Sequence, residues 1–142
     1  MTNWLRVLLV EDDIGLLKLY ELILSHADFD VKQATSGNHA LDVLQDFAPD
    51  IIVSDLMMPG MDGVELCQQI RKSSQWQDIP FLVLTASNDK TLLREILESG
   101  ATRIVNKPIR PVTLAQIVRE VARTGGHAAS NGSGSMKEAA NF

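Results

Sequence analysis

The feature that most constrains the fold of this chain is the regular alternation of short apolar runs with longer amphipathic segments. Leu5–Val10 is an almost continuous apolar run, and residues 14–27 then place their apolar side chains at the three- to four-residue spacing of a helix with one buried face. The same pairing recurs until five such units have been passed, near residue 124. Strands that alternate with helices predict an α/β domain with a parallel sheet.

Apart from Arg6 and Ser54, the runs at residues 5–10, 51–54 and 81–84 are apolar at successive positions instead of alternating with polar residues. A strand of this kind is buried on both faces, as it is when helices cover both sides of a parallel sheet. Five units with right-handed crossovers are too few for a barrel, which needs eight. We therefore predict a flavodoxin-like, doubly wound three-layer sandwich, with a five-stranded parallel sheet in the order 2-1-3-4-5 and helices on both faces.

The chain of 142 residues is long enough for one domain with a single core. Its composition changes near Thr124, after which Gly, Ser and Asn are frequent and large apolar residues become rare. We predict a folded domain over residues 1–124 and a flexible Gly/Ser-rich tail or linker over residues 125–142.

Charge and composition exclude several classes of partner. The chain carries 13 Lys and Arg against 18 Asp and Glu, a formal net charge of -5, which gives no general attraction to nucleic acid or to anionic membranes. Its one cysteine, Cys67, excludes an internal disulfide. No apolar run approaches the roughly 20 residues of a spanning helix. We expect a cytoplasmic protein with no direct nucleic-acid or membrane partner.

Charged and polar side chains follow the strands at the point where each one ends. Because the carboxyl ends of parallel strands share one edge of the sheet, these side chains should converge there. Two unit charges about 4 Å apart repel by roughly 4 kcal/mol at an effective dielectric near 20, so a cluster of acids favours a bound cation. Oxygen ligands without His or Cys suit Mg²⁺, or Mn²⁺, and argue against zinc. The residues are Glu11, Asp12 and Asp13 after the first strand, Asp55 after the third, Thr85 after the fourth and Lys107 after the fifth.

Each of these residues has an ordinary explanation when it is taken alone. An acidic triplet such as residues 11–13 caps a helix N-terminus as readily as it binds a metal. Lys107 would be a surface lysine, and Thr85 would simply end its strand. The arrival of Asp55 at the same edge favours a functional cluster.

Four motifs in register resemble the receiver domain of two-component response regulators over about residues 5–122. They are the acidic group at residues 11–13, the stretch at residues 55–63 that begins with Asp55, Thr85-Ala86, and Lys107-Pro108. The resemblance implies that Asp55 accepts a phosphoryl group from a histidine kinase or a histidine phosphotransfer protein.

The resemblance also assigns a magnesium site. It implies that Asp12 binds Mg²⁺ directly beside Asp55, that Glu11 holds a water of the metal, and that Met57 contributes its backbone carbonyl. Asp13 lies one residue beyond the usual acidic pair, so we expect it to cap a helix.

The remaining implied roles concern signalling. Lys107 would pair with a phosphoryl oxygen, and Thr85 would turn its hydroxyl toward the phosphoryl group. The family usually has an aromatic residue three positions before the lysine, whereas this chain has Ile104. We therefore expect phosphoryl acceptance to be kept and the coupling to the output surface to differ. Output would go to a downstream signalling protein or through a phosphorylation-linked homodimer.

Two other functions stay open. An aspartyl-phosphate hydrolase on a related fold would use Asp55 as its nucleophile, but that class typically carries a second aspartate two residues later, where Met57 stands. A degenerate receiver would serve only as a docking module. The signalling switch, which is not an enzyme, is the prediction that the whole motif set favours.

Overall fold

The computed structural model describes residues 3–128 as one parallel sheet between two helical layers. All neighbouring strands pair in parallel, and their order is β2-β1-β3-β4-β5. The predicted fold class and strand order are confirmed. The strands are β1 (Leu5–Val10), β2 (Phe29–Ala34), β3 (Ile51–Asp55), β4 (Phe81–Thr85) and β5 (Arg103–Asn106).

A helix follows each strand, and the buried side chains show which face of the sheet it covers. α1 and α5 contribute to the cluster on one face, and α2, α3 and α4 contribute to the cluster on the other. Neighbouring residues of β1 divide between the two clusters, with Leu9 in the first and Leu8 in the second. The helices are α1 (Ile14–Ser25), α2 (Gly37–Val43), α3 (Gly63–Lys72), α4 (Lys90–Glu98) and α5 (Pro111–Ala128).

Local sequence signals set where the helices begin. The carboxylate of Asp13 accepts a hydrogen bond from the Leu16 backbone N–H and caps α1, as predicted. Asp89 caps α4 in the same way. Gly100, just after α4, has a φ of +107°, a conformation that residues with a Cβ rarely adopt. These residues therefore mark where α1 and α4 begin and where α4 ends.

The last helix is longer than the sequence predicted. α5 continues to Ala128, so residues 125–128 are helical although the predicted linker begins at Gly125. Glycine costs a helix about 1 kcal/mol per residue, but each residue added to an existing helix still gains one backbone hydrogen bond. Residues 129–142 of the predicted tail lie outside the described residues. Within residues 3–128, no helix combines the length and the apolar character needed to cross a membrane.

Candidate functional site

Asp55 is the last residue of β3, at the centre of the sheet edge where the strands end. Its Oδ1 atom accepts a hydrogen bond from the Leu56 backbone N–H at 2.9 Å. The loop after it is closed by the Gly63 backbone N–H, which donates to the Leu56 carbonyl at 2.8 Å. The side chain of Asp55 is 13% exposed, so it is largely shielded but still reaches solvent.

Two further carboxylates lie beside Asp55. Glu11, Asp12 and Asp55 each offer a carboxylate oxygen, and these atoms all lie within 4.8 Å of one another. Glu11 is buried and Asp12 is exposed, so the cluster runs from the protein interior to solvent. Asp13 is turned away into its capping role, although its backbone N–H donates to Glu11 Oε2 at 3.3 Å. The structure thus brings together the three acids that the sequence predicted to meet at this edge.

Lys107 reaches the same cluster from the other side of the sheet edge. Its Nζ atom lies 3.2 Å from Glu11 Oε1 and 3.3 Å from Asp55 Oδ1. The lysine follows β5 directly, and its backbone N–H donates to the Thr85 carbonyl at 2.8 Å, which fixes its start point. The Lys107–Pro108 peptide bond is cis. The one ammonium is therefore shared between two carboxylates.

The cluster has more negatively charged groups than positively charged ones. The pKa of Glu11 is raised from 4.5 to about 7, because burial, the largest cause, and the Asp55 carboxylate raise it by more than Lys107 lowers it. Burial lowers the pKa of Lys107, but the Asp55 and Glu11 carboxylates outweigh it, so the net change is upward. A single lysine does not compensate the charge of three carboxylates, whereas a divalent cation in addition to the lysine would.

The donor atoms of this cluster fit a small hard cation. The three candidate ligands are carboxylates, and two of them are accessible from the solvent side. Mg²⁺ and Mn²⁺ prefer such oxygen ligands and usually keep several waters, which suits a cluster with an exposed member. The side chain of Met57 is 60% exposed beside the cluster, and the role of its carbonyl as a ligand stays a prediction.

Thr85 ends β4 next to β3, but its side chain is engaged locally. The Thr85 hydroxyl oxygen accepts a hydrogen bond from the Ser87 backbone N–H at 3.0 Å, and the residue is fully buried. Ile104 lies below on β5, opposite Val83 of β4, and is 1% exposed. The position at which the sequence departs from the family pattern is thus filled by aliphatic packing against the α4 side of the sheet.

One residue near the site was predicted only as part of the buried face of its helix. Tyr20 lies on the inner face of α1, and its ring centroid is 5.9 Å from Lys107 Nζ. Its sequence signal is weak, because a single tyrosine among leucines also fits an ordinary core position. The proximity depends on how α1 packs against β1, β2 and α5 and on where the residue after β5 places Lys107, which no local pattern specifies.

Comparison with known proteins identifies relatives with the same arrangement of strands and helices. A family model described as the response regulator receiver domain matches residues 7–119. The chemotaxis response regulator CheY4 of Vibrio cholerae is 33% identical, with a TM-score of 0.78, over 84% of this chain and 99% of that chain. A putative response regulator from Chloroflexus aurantiacus J-10-fl is 31% identical, with a TM-score of 0.80, over 85% of this chain and 99% of that chain.

Longer proteins also match. The transcriptional regulatory protein AfsQ1 of Streptomyces coelicolor is 40% identical over 119 residues, which are 84% of this chain and 52% of that protein. The DNA-binding response regulator MtrA of Mycobacterium tuberculosis is 35% identical over 114 residues, which are 80% of this chain and 49% of that protein. The chain therefore spans about half the length of the curated relatives it matches.

Proposed function

Because this chain belongs to the response regulator receiver domain family, we propose that it is a signalling switch in which Asp55 accepts a phosphoryl group from a phosphohistidine donor. The observation that carries the proposal is the convergence of Asp12, Asp55 and Lys107 from three strand ends on one small volume. Phosphoryl transfer needs little covalent help from a protein, so positioning and charge neutralisation are the contributions to expect.

The proposed reaction forms one bond and breaks one. A carboxylate oxygen of Asp55 attacks the phosphorus in line, while the bond from phosphorus to the donor imidazole nitrogen breaks, and the bonding electrons leave with the imidazole. Asp12, Asp55 and the Met57 carbonyl would hold Mg²⁺, and Glu11 would hold a water of the metal. When bound, the ion would neutralise charge on the transferring group. Lys107, already 3.3 Å from Asp55 Oδ1, would contact another phosphoryl oxygen.

The conformational response would begin at Thr85. The Thr85 hydroxyl now accepts from the Ser87 N–H and retains its own proton to donate. Donation to a phosphoryl oxygen would draw Thr85 and the loop that starts α4 toward Asp55. Because position 104 holds an isoleucine that is already buried, there is no aromatic side chain at this position to move inward. The output surface around α4, β5 and α5 would then change mainly through backbone movement.

The surroundings of the site support a protein as the phosphoryl donor. Ile14, Met57 and Val112 are 51%, 60% and 70% exposed, and each follows a strand end that contributes to the site. Exposed apolar side chains of this kind suit transient contact with a histidine kinase or a histidine phosphotransfer protein. A cytoplasmic location belongs to the same proposal.

Two output routes are compatible with the comparisons. The chain could act through a downstream signalling protein or a phosphorylation-linked homodimer. AfsQ1 and MtrA are named as transcriptional and DNA-binding regulators, so control of a DNA-binding domain in a longer polypeptide is the other route. Sustained hydrolysis is less well supported, because Met57 stands where a second acid would be required.

The test is phosphoryl acceptance from a small donor. Incubation with Mg²⁺ and acetyl phosphate should add the mass of one phosphoryl group, and cleavage of the acyl phosphate should locate it on Asp55. Asp55→Asn should abolish the addition, whereas Asp42→Asn, which changes an exposed acid on α2, should leave it intact. Equal modification of Asp55→Asn, or no modification of the unaltered chain, would refute the proposal.

A further inference from the structure

The ammonium of Lys107 lies near two kinds of group, carboxylates and an aromatic ring. The Glu11 and Asp55 carboxylates lie on one side of its Nζ atom, at 3.2 and 3.3 Å. The aromatic ring of Tyr20 faces the same atom, with its centroid 5.9 Å away. Tyr20 is 6% exposed and belongs to the cluster of buried residues between α1, α5 and the sheet. The packing of α1 therefore holds the ring in place, and the end of the lysine side chain lies over it.

The ring can limit the movement of Lys107, and a lysine side chain needs such limits to be ordered. Its ammonium is a compact point charge on a stem with four rotatable bonds, so it is ordered only when several neighbours limit it. The two carboxylates can be expected to exchange partners when a cation or a phosphoryl group enters the site. An aromatic face attracts a cation within about 6 Å of the ring centroid and does not depend on that exchange.

The ring presents itself to Lys107 as a neutral aromatic group. Burial raises the pKa of the Tyr20 phenol above its ordinary value, with Lys107 acting in the opposite direction. The negative face of the π system, and not a phenolate charge, is then what the ammonium meets. A phenylalanine would offer the same face, whereas a leucine would fill the space without one.

We infer that Tyr20 is a positioning residue for Lys107, whose ring holds the ammonium at the acceptor aspartate during phosphoryl transfer. The inference is based on the contact between the ring and the ammonium. Its effect on phosphoryl transfer rests on the proposed function. Tyr20 then has a functional role in addition to its place on the buried face of α1. That role requires an aromatic side chain.

Two variants of Tyr20 separate positioning from packing. Tyr20→Leu should slow phosphoryl acceptance from acetyl phosphate by roughly 3- to 10-fold, in the range that a partly desolvated cation–π contact supplies. Tyr20→Phe keeps the ring and should stay within about two-fold of the unaltered chain. Leu24→Val is the matched control, because it loosens the same face of α1 one turn away and should leave the rate unchanged. Urea titrations of all variants confirm that each is folded during the assay.

A spectroscopic measurement tests the geometry without any phosphoryl transfer. Protons on the ε-carbon of Lys107 should show an upfield ring-current shift in the unaltered chain and in Tyr20→Phe, and should lose it in Tyr20→Leu. An unchanged rate in Tyr20→Leu, an equally slow Tyr20→Phe, or an equally slow Leu24→Val would overturn the inference. If the unaltered chain accepts no phosphoryl group, the proposed function fails, and the ring-current comparison alone decides whether Tyr20 holds Lys107.

Discussion

The buried carboxylate of Glu11 should make the metal-free protein less stable as the pH rises. Its pKa is raised from 4.5 to about 7, first by burial and then by Asp55. Between these two values the folded state keeps a proton that the unfolded chain has released, so the unfolded state binds fewer protons. Stability therefore falls with rising pH across this window, and the loss is complete above pH 7. At about 1.4 kcal/mol per pKa unit the whole loss is about 3 kcal/mol.

Replacing Glu11 by Gln removes the charge and keeps an oxygen that can accept from Lys107 Nζ. In EDTA, the free energy of unfolding of Glu11→Gln relative to the unaltered chain should rise by about 2 to 3 kcal/mol between pH 5 and pH 8. Urea titrations at half-unit pH steps measure this difference directly, and using a difference cancels the titrating groups that do not interact with Glu11. Glu95→Gln, an exposed glutamate on α4, is the control and should show no such trend.

The outcome that refutes this reasoning is a flat difference. If Glu11→Gln follows the unaltered chain within about 0.5 kcal/mol from pH 5 to pH 8, then burial and the neighbouring carboxylate do not act on Glu11 as the structure indicates. Mg²⁺ offers a further check at pH 7.5, since a cation among the acids offsets the same repulsion. It should stabilise the unaltered chain more than Glu11→Gln.

Two further substitutions test how the site is supported. A Cβ on Gly63 would lie 2.8 Å from the Asp55 carbonyl oxygen and 2.9 Å from Leu56 Cα, so Gly63→Ala should cost about 1 to 3 kcal/mol of stability and slow phosphoryl acceptance, measured by urea titration and mass spectrometry. Arg71 donates to three backbone carbonyls, among them that of Ile79 at 2.7 Å. Arg71→Met should remove these three hydrogen bonds, two of them part-buried, and lower stability by about 2 to 4 kcal/mol, with little effect on the initial rate of acceptance at low temperature.

Much of the fold could be predicted because the sequence carries redundant signals for it. The runs that became β1, β3 and β4 are apolar on both faces, as the strands of a parallel sheet with helices on both sides are. The end of α5 was predicted less well, because Gly125 and Gly126 lower helix propensity without stopping a helix that is already formed. Intrinsic preference is a weak guide at the end of a long helix.

The membership of the site could be predicted by one rule, that the carboxyl ends of parallel strands share an edge. That rule predicts that Glu11, Asp12, Asp55 and Lys107 meet, and in the structure the three carboxylates lie within 4.8 Å of one another while Lys107 Nζ lies 3.2 Å from Glu11 and 3.3 Å from Asp55. It says nothing of side-chain direction. Thr85 is at the predicted edge, yet its hydroxyl is bonded to the loop that follows it.

The sequence by itself determined the order of elements and which residue types stand at each strand end, because periodicity and turn residues act over a few neighbours. Only the tertiary structure decided how strongly those residues interact. Lys107 and Glu11 are 96 positions apart in sequence and 3.2 Å apart in space. The pKa of Glu11 and the position of the Tyr20 ring beside Lys107 both depend on side chains that come together from α1 and from the ends of β1, β3 and β5. Coulomb energies and desolvation change within a few ångströms, and distances on that scale are set by the whole packed core.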